Sequence, residues 1–291
     1  MNDLNYNHFA VFILTHKRPN KVYTYKTLRK SGYTGKIFFI VDSLDPTQNE
    51  YFNLYGHQVQ VFDKNEIVKT FDIGDNFKSK SAIIYARNAS FEIAKKLNLK
   101  YFIQLDDDYR AFEYRFNKNQ EYEIKPIKNL DQVFKALLKF YINSNIDSIA
   151  MSQGGDFIGG SLSPNAQKIK LKRKCMNSFI CGINRPFKFI GKFNEDVNTY
   201  TRSASIGLKL VSTNQVNLVQ TVTQSNSGGM TDLYLESGTY VKSFYSVMYQ
   251  PSSVKIKILK NIHMRIHHAV SWKHTVPMIL DESLKKKESN A

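Results

Sequence analysis

Three consecutive carboxylates, Asp106, Asp107 and Asp108, end the mostly apolar run Tyr101-Phe-Ile-Gln-Leu. Such a run suits a buried strand, and like charges crowded at its end repel one another and cost stability. A divalent ion removes that cost. Asp106 and Asp108 form an Asp-x-Asp pair whose oxygens suit Mn²⁺ or Mg²⁺, and an ion held there neutralises a diphosphate in turn. The plainer reading is an acidic triplet on a solvated turn. Its place at a strand end, after a helix that carries Arg87-Asn88, favours the metal and a phosphorylated ligand. Arg87 then lies near the diphosphate or the acids, with a solvent-facing arginine as the alternative.

A second acidic site is Glu195-Asp196, within Asn194-Glu-Asp-Val-Asn-Thr-Tyr200. A carboxylate in basic surroundings stays ionised and can take a proton from an attacking hydroxyl. A helix-start acidic pair or a salt bridge would leave the same signature. His263, His267 and His268 are candidate further metal ligands, although clustered histidines are more often packed or exposed. The polar loop Thr15-His-Lys-Arg18 follows an apolar run and can meet a nucleotide.

These residues need a frame. Phe9–Thr15, Lys36–Asp42, Gln58–Asp63 and Tyr101–Leu105 read as strands. Pro19–Arg29, a segment from a Ser79 or Ser81 cap to about Lys96, and Asp131–Asn143 read as helices. Gly32 closes the first helix, and Ser148–Ser152 is a further strand. Alternation of this kind predicts an α/β fold, with a mixed, mainly parallel sheet and helices on both faces. Ligands of such sheets bind beyond the carboxyl ends of the strands. Thr15–Arg18, Asp42–Asp45 and Asp106–Asp108 all fall at such ends. After residue 152 the pattern turns to loops and short strands.

The 291 residues bury a sizeable core in one domain or two fused ones. No apolar run reaches the roughly 18 residues that span a bilayer, and the polar start does not read as a signal peptide. Cys175 and Cys181 read as free thiols of a cytoplasmic protein. From Phe157 to Leu280 sixteen Lys and Arg face four acids, so +12 of the net +16 belongs to the second half. That excess predicts a polyanionic partner. Lys168–Lys174 alternates, and Lys242 to Lys273 contains no acid but several aromatics. Lys242 and Trp272 are thus candidates for phosphate contact and base stacking.

Five segments in this order carry a resemblance. They are Leu105-Asp-Asp-Asp, Asn194–Tyr200, Thr223-Gln-Ser-Asn-Ser-Gly-Gly-Met-Thr-Asp, Gly238-Thr-Tyr-Val-Lys-Ser-Phe-Tyr and Ile266-His-His-Ala-Val-Ser-Trp. Over residues 9–280 the chain resembles the phage TET-associated glycosyltransferases, a GT-A-fold group that decorates hydroxymethylated pyrimidines in DNA. The resemblance implies a GT-A-like (Rossmann-like) single domain. Residues 8–150 would bind the nucleotide sugar, residues 151–280 would form a C-terminal acceptor-binding half, and 281–291 a tail. It implies Mn²⁺ or Mg²⁺ and a donor diphosphate on Asp106 and Asp108, with His267 or His268 completing the metal site. Thr15, Arg18, Asp42, Arg87, Asp106 and Asp107 would hold the UDP-sugar. Asp196, or failing it Glu195, would be the base. Asn198, Gln224 and Asp232 would shape the acceptor or sugar pocket. The expected acceptor is double-stranded DNA bearing a 5-hydroxymethylpyrimidine, the expected sugar is glucose, and no membrane is involved. The competing expectations are a GT-A enzyme acting on a carbohydrate and a non-catalytic DNA-binding protein on the same fold.

Overall fold

The computed structural model describes residues 6–75, 82–157, 160–162, 169–171, 173–220, 240–260 and 264–275. The expected cap at Ser79 or Ser81, Lys168 and Lys172, His263, Gln224 and Asp232 with their motif, and the tail lie outside these residues.

The apolar runs become strands β1 (Phe9–Leu14), β2 (Lys36–Asp42), β3 (Val59–Phe62) and β4 (Tyr101–Asp106), paired in parallel in the order β3-β2-β1-β4. β1 is buried along its whole length because its alternate residues enter opposite cores. Phe9, Val11 and Ile13 join one cluster, and Ala10, Phe12 and Leu14 join the other. On the first face lie α1 (Tyr23–Lys30), α2 (Gln48–Tyr55) and α5 (Leu130–Asn143). α5 starts where Asn129 accepts the Gln132 N–H, and it buries Leu130, Val133, Phe134, Leu138 and Tyr141 at helical spacing. On the other face lie α4 (Ile84–Lys96) and α6 (Glu195–Ser205). A short helix α3 (Lys64–Ile67) follows β3, with Asp63 as its cap.

Beyond β4 the sheet departs from sequence order. β9 (Ser178–Gly182) lies antiparallel between β4 and β7 (Ser148–Gln153). β10 (Leu210–Gln220) runs parallel to β7, and the hairpin β5 (Tyr109–Phe116) and β6 (Tyr122–Pro126) closes that edge; β8 (Ile169–Lys170) pairs with β10. β1 to β4, β6, β7 and β10 run one way, and β5, β8 and β9 the other. The sheet is therefore mixed and mainly parallel, with helices on both faces. The stretch expected as loops and short strands around Asn177–Asn184 contains β9, a strand buried throughout. The hairpin β5–β6 and helix α2 are additions to the expected elements. Strands from both halves of the chain alternate in this one sheet.

Helix α7 (Val241–Tyr249) packs against α6 and against a separate hairpin of β11 (Val254–Lys260) and β12 (Met264–Val270), followed by the short helix α8 (Trp272–Thr275). Gly191 makes the α6–α7 contact possible. It has φ +75°, and a Cβ there would stand 2.4 Å from Asn198 Nδ2 and 2.6 Å from the Tyr249 ring. Gly56 also has a positive φ, +54°, but has open space where its Cβ would be. Gly56→Ala should therefore cost only the backbone strain of a φ/ψ pair that favours glycine, about 1–3 kcal/mol. Gly191→Ala should cost about 1–3 kcal/mol more through overpacking, read as a larger fall in the urea midpoint.

Candidate active site

The carboxyl end of β4 forms the floor of a cleft of about 390 Å³. Its walls hold Thr15, His16 and Arg18 after β1, Asp42 at the end of β2, Lys64 and Arg87 on helices, and Asp106, Asp107 and Asp108. Asn194, Glu195 and Asp196 at the start of α6, and Lys242 on α7, complete it. The three expected strand ends therefore meet on one rim, together with the second acidic site.

Arg87 joins the two acidic sites. It lies on α4 with its side chain 1% exposed, so it is a buried residue and not a solvent-facing one. Its Nη2 donates to Asp106 Oδ1 at 3.0 Å and its Nε to Glu195 Oε1 at 3.1 Å. The rings of Phe179 and Phe189 flank the guanidinium at 5.1 and 5.7 Å. The backbone around it is tied on both sides. Gln104 of β4 donates to the Arg87 carbonyl, and Asn88 exchanges two hydrogen bonds with the backbone of Phe189. Burial alone would lower the Arg87 pKa, but Asp106 and Glu195 outweigh it and hold the cation protonated.

The acidic triplet is held by α1. Thr24 Oγ1 donates to the Asp106 carbonyl and accepts the Tyr109 N–H, and the Thr24 N–H donates to the Asp107 carbonyl. The three side chains then diverge. Asp107, buried, accepts from Thr15 Oγ1 at 2.7 Å and pairs with Arg18 at 3.3 Å. Because Thr15 spends its proton on Asp107, the Tyr51 hydroxyl 2.7 Å away donates to Thr15, and it accepts the Arg18 N–H. Asp108 turns to Gln220, which also accepts from Asn177 and Gln153. Burial raises the carboxyl of Asp106 to about 7 and that of Asp107 to about 6, despite Arg87 and Arg18. Burial and then Asp107 raise Asp108.

α6 begins at Glu195, so the expected helix-start acidic pair and salt bridge are both present within the cleft wall. Two carboxylates in the first turn suit the helix dipole. Asp196 accepts its neighbour's N–H, from Val197 at 2.7 Å. Burial raises Glu195 and Asp196, and the pair's mutual charge adds to the rise of Glu195.

Asp106, Asp107, Asp108, Glu195 and Asp196 outnumber Arg87 and Arg18, and burial resists the ionisation of all five acids. This all-oxygen donor set with surplus negative charge fits a hard divalent cation. Among the described residues no three His, Cys, Asp or Glu side chains form a preformed metal cluster. An ion on Asp106 and Asp108 would thus draw further ligands from a phosphorylated ligand, as Mg²⁺ ordinarily does.

Other expected site residues lie elsewhere. Asn198 is fully buried and spends its amide on Phe193 O, Ile190 O and Ser246 Oγ, so it braces α6 against α7 and does not shape a pocket. Trp272, half-buried, stacks one face on Tyr200 at 5.5 Å against the second core. Neither His267 nor His268 lines the cleft. His268 Nδ1 sits 3.0 Å from Asn194 Nδ2, one residue behind the wall, and burial with nearby His267 and Lys242 lowers its pKa to about 4. The sequence reading missed Lys64, Gln153, Asn177 and Gln220. They are single polar residues in unremarkable contexts, and only strand pairing brings them to the rim.

His16 sits 2.8 Å from Asp42 and 3.3 Å from Asp45, and buried Lys64 reaches Asp42 at 3.2 Å. Burial would lower His16, but the hydrogen bonds and charges of Asp42 and Asp45 outweigh it, so its pKa is raised. A raised folded pKa stabilises fully below the unfolded value of about 6.5 and fades as pH rises through the folded value. The stability difference between the wild type and His16→Gln should therefore be largest near pH 6 and shrink toward pH 8, as read by urea midpoints. Arg87→Met should destabilise by about 3 kcal/mol in the same assay, because it strands two carboxylates that are only 15% and 12% exposed.

Residues 9–229 match the family described as TET-Associated Glycosyltransferase. No curated protein matches the chain. Among solved structures, similar chains include glucosyl-3-phosphoglycerate synthase from Mycobacterium tuberculosis in complex with Mn²⁺ and UDP-glucose, with 9% identity, 90% of this chain and 86% of that one covered, and a TM-score of 0.43. Others are the mannosyltransferase PcManGT from Pyrobaculum calidifontis with GDP-Man and Mn²⁺ (10%, 83% and 73%, 0.45) and S. aureus TarS 1-349 with UDP-GlcNAc (10%, 82% and 66%, 0.43). Likenesses this remote do not say what this chain binds. The family match spans most of the chain and contains both acidic sites that Arg87 joins, and this protein belongs to the TET-associated glycosyltransferase family.

Proposed function

We propose that the chain moves a sugar, glucose in the first instance, from a UDP-sugar to the hydroxyl of a 5-hydroxymethylpyrimidine in double-stranded DNA. The observation that carries this reading is the Arg87 bridge, which puts the Asp106 and Glu195-Asp196 sites in one cleft. The family's name supports the DNA acceptor, and so does the surplus of Lys and Arg after residue 157. Residues 8–150 would supply the donor side and residues 151–280 most of the acceptor side.

Thr15, His16, Arg18, Asp42 and Lys64 occupy the rim where β1 and β2 end, the position for the nucleoside. Asp106 and Asp108 would hold Mn²⁺ or Mg²⁺ with the donor diphosphate, and the bound ion would neutralise the charge of the departing UDP. Arg87 adds a fixed cation beside that diphosphate. In the transfer the acceptor oxygen bonds to the sugar's anomeric carbon, the bond from that carbon to the diphosphate oxygen breaks, and the hydroxyl proton passes to Asp196. Burial strengthens Asp196 as a base, while Glu195 is committed to Arg87. Lys242 stands at the cleft to meet a phosphate of the acceptor.

Asp108→Ala and Asp196→Asn should each lower transfer by at least about 100-fold, the scale of a lost general base. The measurement is mass spectrometry of hydroxymethylated duplex DNA after incubation with UDP-glucose and Mn²⁺. Full transfer in both variants, folded by their urea midpoints, would sink the assignment. Glycosylation of a polysaccharide with none of DNA would replace the acceptor.

A further inference from the structure

The β11–β12 hairpin has two unlike faces. Register pairs Ile256 with His268 and Lys257 with His267. In an antiparallel pair, directly opposed residues share a face and neighbours alternate. His268 reaches Asn194 in the cleft wall, and Val254 is fully buried, so the face they share is anchored at that end, while Ile256, Ile258 and Ile266 further along it are exposed. Lys255, Lys257 and His267 therefore share the opposite face, and both lysines are exposed. Lys273 and His274 follow, exposed, just after β12. No acid occurs from Lys242 to Lys273. The ribbon is tied to the active site twice, by His268 on Asn194 and by α7, which packs on both strands and carries Lys242 into the cleft.

We infer that the outer face of the β11–β12 hairpin is a phosphate-backbone clamp for duplex DNA, placed beside the cleft to hold the acceptor over it. This rests on the DNA-acceptor reading above. Two lysines one strand repeat apart, on a ribbon without acids, complement a regular row of phosphates and read no base edge, so the contact is independent of sequence. The clamp adds affinity for the duplex and takes no part in the bond changes at the sugar.

The test compares Lys255→Gln/Lys257→Gln with Lys96→Gln/Lys100→Gln. The second pair removes the same charge from exposed positions near the start of β4, at the end of the strand away from the cleft. Binding of a fluorescent duplex carrying 5-hydroxymethylpyrimidine is measured by anisotropy across a salt series. The hairpin pair should lower affinity by about tenfold at 0.1 M salt and reduce the slope of log K against log salt by about 2, roughly one per lysine. The control pair should stay close to wild type. If wild type binds DNA and the hairpin pair matches it, or both pairs fall equally, the clamp is overturned while the acceptor reading stands. If wild type binds no duplex even at low salt, both are overturned.

Discussion

The structure depends on one buried cation. Arg87 is enclosed by Phe179 and Phe189 and bonded to Asp106 and Glu195, which lie far apart in the sequence. Burying a guanidinium costs several kcal/mol unless its partners are well placed. Here the partners are the acids that the cleft needs, so the same contact that offsets the burial also fixes the distance between the two acidic sites. Gln104 and Asn88 hold the helix at that point, and Thr24 holds the turn that carries Asp106.

That contact explains why the sheet is built out of order. If β4 were followed in space by β5, the acids at the end of β4 would face a simple hairpin. Instead β9 pairs with β4 and brings Phe179 beside Arg87, and the chain after β9 delivers Phe189 and then α6. β7 and β10 bring Gln153 and Gln220 to the far side of Asp108. β9, antiparallel to β4 and β7 in a mainly parallel sheet, is thus the element that turns a strand-end site into an enclosed cleft.

Charge is divided in the same way. The cleft floor is acidic, its rim holds His16, Arg18, Lys64 and Lys242, and the second half of the chain is strongly basic. Acids buried beside a fixed cation suit a bound divalent ion and a diphosphate. Exposed lysines on a ribbon without acids suit phosphates met directly from solvent. The two kinds of site would handle negative charge by different physics, a desolvated bridge in one case and counterion release in the other.

Much of this was legible in the residues themselves. Apolar runs ending in polar residues located β1, β2 and β4, and the spacing of Val133, Phe134, Leu138 and Tyr141 located α5, because strand and helix periodicity are local properties. The Asp106–Asp108 triplet and the isolated Glu195-Asp196 pair marked both acidic sites. β9 was not singled out because its five residues follow the lysine-rich stretch Lys168–Lys174, and a short strand acquires its identity from the neighbours it pairs with. The roles of Asn198 and Trp272 could not be read either, since a motif residue that binds a ligand and one that braces a helix look alike until burial is known. The sequence by itself determined which residue types stand at the strand ends and where the charge lies. Only the tertiary structure decided that Arg87 joins the acids, that Asn198 and Trp272 pack, and that Lys255 and Lys257 face outward, because long-range pairing and burial assign each side chain its neighbours.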